Sequence, residues 1–194
     1  MSKNKITFGL RSVHYSLATQ DNNGNWTFGT PKALPGAQEF SSEAVGGSTN
    51  VYADDSLYAT LVQNAGRTLT VKFTEISEDF KKEVLGYKEL EDGNLVEIAN
   101  APIVNFAFGF QIDGDGAKRK VWYYLCNVTP IAESTKSKAD SVEANSVTLN
   151  ITARPLEVND YLITCRKCEQ GQANYETYLD VAPVAPTAQQ LGGN

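Results

Sequence analysis

At 194 residues the chain has room for one well-buried domain with an appendage, and 41% hydrophobic against 21% charged residues argues against both general disorder and a membrane-embedded protein. A net charge of −6 and a pI near 4.9 disfavour adhesion to nucleic acid, which depends on Lys and Arg. Cys126, Cys165 and Cys168 are an odd count without secretory context and read as free thiols rather than a disulfide framework. No apolar run approaches the roughly 20 residues of a membrane-spanning helix. Met1-Ser2-Lys3-Asn4-Lys5 leads into Ile6-Thr7-Phe8-Gly9 rather than a continuous apolar stretch, so no signal peptide is expected and synthesis in the cytoplasm is.

Short alternating runs separated by turn clusters predict an all-β sandwich or barrel. The first strand is expected over Val13 to Thr19, and Asn23-Gly24 predicts a hairpin that returns through Trp26-Thr27-Phe28. Pro31, Pro35 and Gly36 then place the chain at an edge or in a connection. Ala37 to Val45 and Asn50 to Val62 read as extended without two clean faces, and Gly46-Gly47-Ser48 between them as a hinge or hairpin tip. In Thr68 to Thr74 the alternation is clear: Leu69, Val71 and Phe73 face a core, whereas Thr68, Thr70, Lys72 and Thr74 face water.

One short helix is predicted over 77–85, with Ser77 as N-cap, Glu78 and Asp79 at the positive end of the dipole and Gly86 past the last turn. Too short to stand alone, it must pack its Phe80, Val84 and Leu85 stripe on a sheet. Tyr87 to Leu90 and Leu95 to Ile98 flank Asp92-Gly93, a type I′ hairpin signal. Ile103 to Ile112 and Lys120 to Val128 form the next hairpin; Phe106, Phe108 and Phe110 share one face, and Val121 to Cys126 is apolar on both, hence central. Ala132 to Asn145 reads as a polar loop, and Ser146 to Ala153 alternates again, with Thr148, Asn150 and Thr152 outward. Tyr161 to Cys168 is a last strand, and the Pro- and Ala-rich segment 181–194 a flexible tail after a single domain over 1–180.

Motifs with chemical potential are sparse. Cys165-Arg166-Lys167-Cys168 has CxxC spacing, but no second CxxC accompanies it, and residues three apart on a strand face opposite ways. Asp113-Gly114-Asp115-Gly116 resembles the start of a calcium loop, yet its twelfth position is Tyr124 rather than Glu, and a tight hairpin explains the glycines. His14 is the only imidazole, and no nucleophile elbow or phosphate-cradling loop is present. Lys118-Arg119-Lys120 reads as a solvated hairpin end or an ion-pair patch. The expectation is therefore no catalytic, cofactor-binding or metal residues, and a protein that is not an enzyme.

Phe8-Gly9-Leu10, Tyr15-Ser16-Leu17-Ala18-Thr19, Leu34-Pro35-Gly36-Ala37 and Tyr52-Ala53-Asp54-Asp55, in that order, carry a likeness that extends loosely through Asp79 to Gly86 and Phe106 to Cys126. This series resembles the major tail tube proteins of long-tailed, non-contractile bacteriophages. The resemblance implies a tube-type β-sandwich or partial barrel with long assembly loops, closing with five other copies into a ring whose inner sheets merge and whose rings stack. It implies a loop over 41–55 that bridges subunits or successive rings, with Ser41, Glu43, Val45, Gly46, Gly47, Thr49, Tyr52, Asp54 and Asp55 as contact candidates, and terminal arms in 1–7 and part of 181–194. Thr68, Thr70, Lys72 and Thr74 with Thr148, Asn150 and Thr152 become candidates for the lumen face. The implied partners are the chain itself, tape measure and tail completion proteins and, in passage, DNA; no membrane is involved. The implied location is the virion tail, assembled in the host cytoplasm. Two other readings stand beside it: an inner-tube protein of a contractile or secretion-type injection machine, and a monomeric β-sandwich module binding carbohydrate or a receptor through Trp26, Trp122 and the tyrosines.

Overall fold

Two runs of strict alternation build the inner wall of the molecule: Leu69, Val71 and Phe73 on one strand and Leu149, Ile151 and Ala153 on its neighbour are all fully buried. The computed structural model describes residues 9–53, 55–114, 116–129, 132–134 and 146–192. In chain order the strands are β1 (Leu10–Gln20), β2 (Trp26–Phe28), β3 (Lys32–Ala33), β4 (Ala37–Ala53), β5 (Ser56–Phe73), β6 (Lys88–Glu89) and β7 (Leu95–Val96). They continue as β8 (Asn105–Ile112), β9 (Lys120–Val128), β10 (Ala132–Ser134), β11 (Ser146–Arg154), β12 (Leu156–Val158), β13 (Tyr161–Ile163) and β14 (Cys165–Cys168). The helix α1 (Glu78–Glu83) lies between β5 and β6, and a single 3-10 turn spans Gln189–Leu191.

Ten strands form one antiparallel sheet in the order β2-β1-β8-β9-β11-β5-β4, with β3 on β1, β10 on β11 and β14 on β9. The sheet rolls over itself, so the fold is an all-β partial barrel. The start of β4 crosses back above β8 and β9, where the Phe40 ring lies 4.3 Å from Phe110 and 6.4 Å from Tyr123. Val13 and Tyr15 of β1, Phe106, Phe108 and Phe110 of β8, and Val121, Tyr123 and Cys126 of β9 complete the interior. β9 keeps both faces apolar by a bulge: Phe106 pairs with Cys126 but Phe108 with Tyr123, so one extra β9 residue turns Tyr124 and Leu125 together to the outer side.

The helix forms where predicted but stops at Glu83. Ser77 accepts a bond from the Phe80 N–H at 3.4 Å, and Gly86 takes φ +76°, where a β-carbon would meet that of Ala101 at 2.3 Å. Phe80 plugs one end of the roll, edge-on to Tyr15 at 5.0 Å and to Phe106 at 5.7 Å. The Tyr15 hydroxyl donates to Glu83 at 2.9 Å, and Lys32 pairs with the other carboxylate oxygen.

Several expectations give way to different geometry. The extended readings of 37–45 and 50–62 fall on β4 and β5, but the loop implied over 41–55 and the tip at Gly46-Gly47-Ser48 are not found: β4 pairs with β5 from Ala37–Phe73 to Ala53–Ser56, so the tip lies beyond Ala53. Backbone pairing does not need apolar side chains, which is why a polar, glycine-rich stretch can carry a full ladder. Asp54 lies outside the described residues, as do Met1 to Thr7, Asp115 and 135–145. The turns at Asn23-Gly24 and Asp92-Gly93 are not type I′, because only the glycines have positive φ; each is a tight turn closed by an αL glycine, with the Asp21 or Asp92 carboxylate accepting from nearby N–H groups. Tyr161 to Cys168 breaks at Thr164 into β13, which pairs with β12, and β14, which pairs with β9.

Candidate assembly surface

The β4–β5 hairpin outruns its support. β11 pairs with β5 only from Arg67 to Phe73, so beyond Val45–Gly66 the hairpin leaves the sheet and continues to Ala53–Ser56 with no other strand on either edge among the described residues. At strand rise this arm reaches about 26 Å past the supported sheet. Its base is a bulge, because Val45 pairs with Gly66 but Gly46 with Asn64. Both glycines are sterically required there: a β-carbon on Gly46 would stand 2.0 Å from the Gln63 carbonyl, and one on Gly66, at φ +121°, 2.3 Å from that of Ala153. A second bulge near the tip pairs Val51 with Ala59 and Tyr52 with Leu57, which leaves Tyr58 as the extra residue. Tyr58 is 78% and Tyr52 67% exposed, with Val45 and Val51 open along the shaft. A two-stranded ribbon is marginal in water without a surface to lie on.

Among the described residues β4 pairs with no strand but β5, so it forms one edge of the sheet. Ser41, Glu43, Val45, Gly46, Gly47, Thr49 and Tyr52 all lie along this strand, and Asp55 sits at the tip with φ +57°. The structure thus gathers the contact candidates on one edge.

Register aligns the expected solvated residues in rows across β4, β5 and β11: Glu39–Lys72–Thr148, Ser41–Thr70–Asn150 and Glu43–Thr68–Thr152. The Thr70 hydroxyl lies 3.4 Å from the Asn150 side-chain oxygen. Thr74, Asn150 and Thr152 are exposed and Thr68, Thr70, Lys72 and Thr148 half-buried, opposite the core-facing Leu69, Val71, Leu149 and Ile151. The face combines two carboxylates, one ammonium and neutral hydroxyls and amides.

The same side of the sheet is closed at β9 by a strap, residues 172–185, which includes the start of the segment 181–194 expected as a flexible tail. The Lys120 ammonium, buried, donates to the carbonyls of Tyr175 at 2.8 Å and Glu176 at 3.0 Å, and sits 4.4 Å from the Tyr175 ring centre. The Trp122 indole N–H donates to the Tyr178 carbonyl at 2.8 Å, and the Tyr124 hydroxyl to that of Val184 at 3.1 Å. Pro183 is buried rather than loose. A signal was present: Lys120, Trp122 and Tyr124 alternate on one face of an apolar strand, and each ends in a donor that burial obliges to find an acceptor. Cys165 faces the core and Cys168 lies buried under the strap, so the two thiols diverge. Asp113 pairs with Arg11 at 3.0 Å. Among the described residues no group of three His, Cys, Asp or Glu side chains could hold a metal, and no helix is long and apolar enough to cross a membrane.

Burial raises the hydroxyl pKa values of Tyr15, Tyr123 and Tyr178, and pushes that of Tyr124 up to about 12 from an ordinary 10.0. Their neutral forms are bound more tightly in the folded state than in the unfolded one. The stabilisation is therefore complete below pH 10 and is lost as pH rises from there through the folded values. Burial also raises the Cys126 and Cys168 thiols above their ordinary 9.0, so the urea midpoint is expected to begin falling near pH 9 and to fall more steeply from about 10 toward about 12, with tyrosine absorbance rising in the second window.

No family model matches the chain, and no curated protein matches it. Among solved structures, it is similar to a chain of the tail tube of SPP1, determined by solid-state NMR and cryo-EM, at 11% identity and a TM-score of 0.40, over 88% of this chain and 84% of that one. It is also similar to a chain of the anti-feeding prophage baseplate, at 10% identity and a TM-score of 0.40, over 87% of this chain and 99% of that one.

Proposed function

We propose that this protein is the major subunit of a bacteriophage tail tube of the long, non-contractile kind, closing into hexameric rings that stack and conduct DNA during ejection. The observation that carries the reading is the β4–β5 hairpin: an edge strand of 17 residues that ends in an arm with no further strand beside it among the described residues and with exposed tyrosines. Such an edge invites uncontrolled pairing unless a partner takes it up, and joining edges between copies around a ring removes it. The three polar rows across β4, β5 and β11 supply the lumen face. Carboxylates and neutral groups there, with Lys72 as the single cation of the rows, would let a polyanion slide rather than adhere. In this reading the subunit is made in the host cytoplasm, resides in the virion tail and meets tape measure and completion proteins.

Negative-stain microscopy of the purified protein at high concentration is expected to show rings or tubes about one subunit thick in the wall. A monodisperse monomer at all concentrations would overturn the proposal. Flexible, sheath-free tails in the parent particle separate this reading from the inner tube of a contractile machine. A monomeric binding module loses its tryptophan platforms here, since Trp122 is 1% exposed and Trp26 packs on the cluster around Tyr124 and Leu125, and keeps only exposed tyrosines, Tyr52 and Tyr58 of the arm among them.

A further inference from the structure

Between β14 and the strap lies an open cavity of about 780 Å³, in the size range of a binding site. Its walls carry the aromatic rings of Trp122, Tyr124 and Tyr178 and the cations Arg166 and Lys167, and no carboxylate. In a chain of net charge −6, a recess with two cations and no acid is a local inversion of sign. Tyr178, one of its lining residues, also carries the one buried side-chain polar atom without a hydrogen-bond partner among the described residues, its hydroxyl.

The chemistry opposite to this recess is found on the same molecule, at the arm tip. Asp55 is exposed there with positive φ, between Tyr52 and the bulged Tyr58, whose rings are exposed among the described residues. We propose that the strap cavity is the seat for the β4–β5 arm tip of a second copy, Tyr58 entering among the aromatic rings and Asp55 meeting Arg166. The proposal rests on the tube reading and names the surface that the arm engages. Charge complementarity selects this occupant: an acidic, aromatic tip against a basic, aromatic recess in an otherwise acidic protein. A bulge is a common device for re-aiming one side chain, and at Tyr58 it turns out a ring with a hydroxyl, able to fill apolar space and still satisfy a polar partner. Tip and cavity are different patches of one chain, so each copy presents both halves of a head-to-tail contact, and contacts made in one direction propagate into a ring or a filament, whereas two copies that exchange tips would stop at a dimer.

The test is a charge swap read by pelleting of assembled protein. Asp55→Lys and Arg166→Glu are each expected to raise the critical concentration for assembly about tenfold, and the double variant to restore it to near the wild-type value. A benzophenone amino acid at position 58 is expected to crosslink to the peptide 172–184 of another copy in assembled material. Assembly that tolerates both single reversals, or crosslinks that map elsewhere, would overturn the cavity as the seat while leaving the tube reading intact. Absence of any assembly by the wild-type protein would overturn both.

Discussion

Replacing Gly46–Ala65 by Asn-Gly yields a soluble, folded subunit that does not polymerise. The replacement leaves Val45 opposite Gly66, the last pair next to the β11-supported sheet, and closes it with a two-residue hairpin turn. None of the described residues removed belongs to a core cluster, so the rolled sheet keeps its interior, and stability to urea is expected to stay within about 1 kcal/mol of the parent. What goes is the arm: both free edges past the bulge, the exposed Val51, and the Tyr52 and Tyr58 rings. If copies are joined by this hairpin, the loss of assembly is total rather than graded, because the other described hairpins off the main sheet, β6–β7 and β12–β13, pair over only two and three residues and are too short to replace it. Sedimentation velocity and microscopy on the same sample read both halves of the expectation. Tubes of normal width from the deletion would show the arm to be dispensable and would remove the observation on which the functional proposal stands.

How far the sequence foretold this arrangement depends on where the ordering information resides. Leu69-Val71-Phe73 and Val147-Leu149-Ile151 were legible because one face of each strand meets a core, and burial imposes a period of two on the residues. Phe80 announced its role for the same reason, with Ser77 and Gly86 marking the ends of its helix. The β4–β5 segment was legible as extended chain over 37–45 and 50–62 but not as one continuous hairpin. None of the described side chains of its arm belongs to a core cluster, so no period of two marks its faces, and Gly46 and Gly47 look like a tip although Gly46 sits inside a bulged ladder. The strap escaped for a different reason. Its carbonyls at Tyr175, Tyr178 and Val184 are positioned by donors on a distant strand, and Asp180 to Pro186 carries no period of its own. The candidate residues on β4 could be singled out only through the family resemblance, since exposure to a partner leaves no trace in composition.

The strap also carries the largest expected loss of stability, through Trp122. Its indole is 1% exposed, lies across Gly109 of β8, and donates to Tyr178 of the strap at 2.8 Å. Trp122→Ala is expected to cost about 3–5 kcal/mol, a large part of the whole stability of a domain this size. Trp122→Phe keeps a ring over Gly109 and gives up the N–H donor, leaving the Tyr178 carbonyl without its partner, for a loss of about 1–2 kcal/mol. Gly109→Ala acts on the same contact from below: the new β-carbon would stand 2.6 Å from the indole and force it to shift, at about 1–3 kcal/mol. Because both changes touch one ring, they will not add; in Trp122→Ala the space above position 109 is empty, and Gly109→Ala becomes close to neutral there. Urea denaturation supplies the energies, with Trp26 as the remaining indole reporter. Hydrogen exchange supplies the location, with protection lost first over 172–185 while β5 and β11 stay closed. A strap that remains protected in Trp122→Ala would mean that the Lys120 and Tyr124 donors hold it without the indole, and that the penalty belongs to the core of β8 and β9 alone.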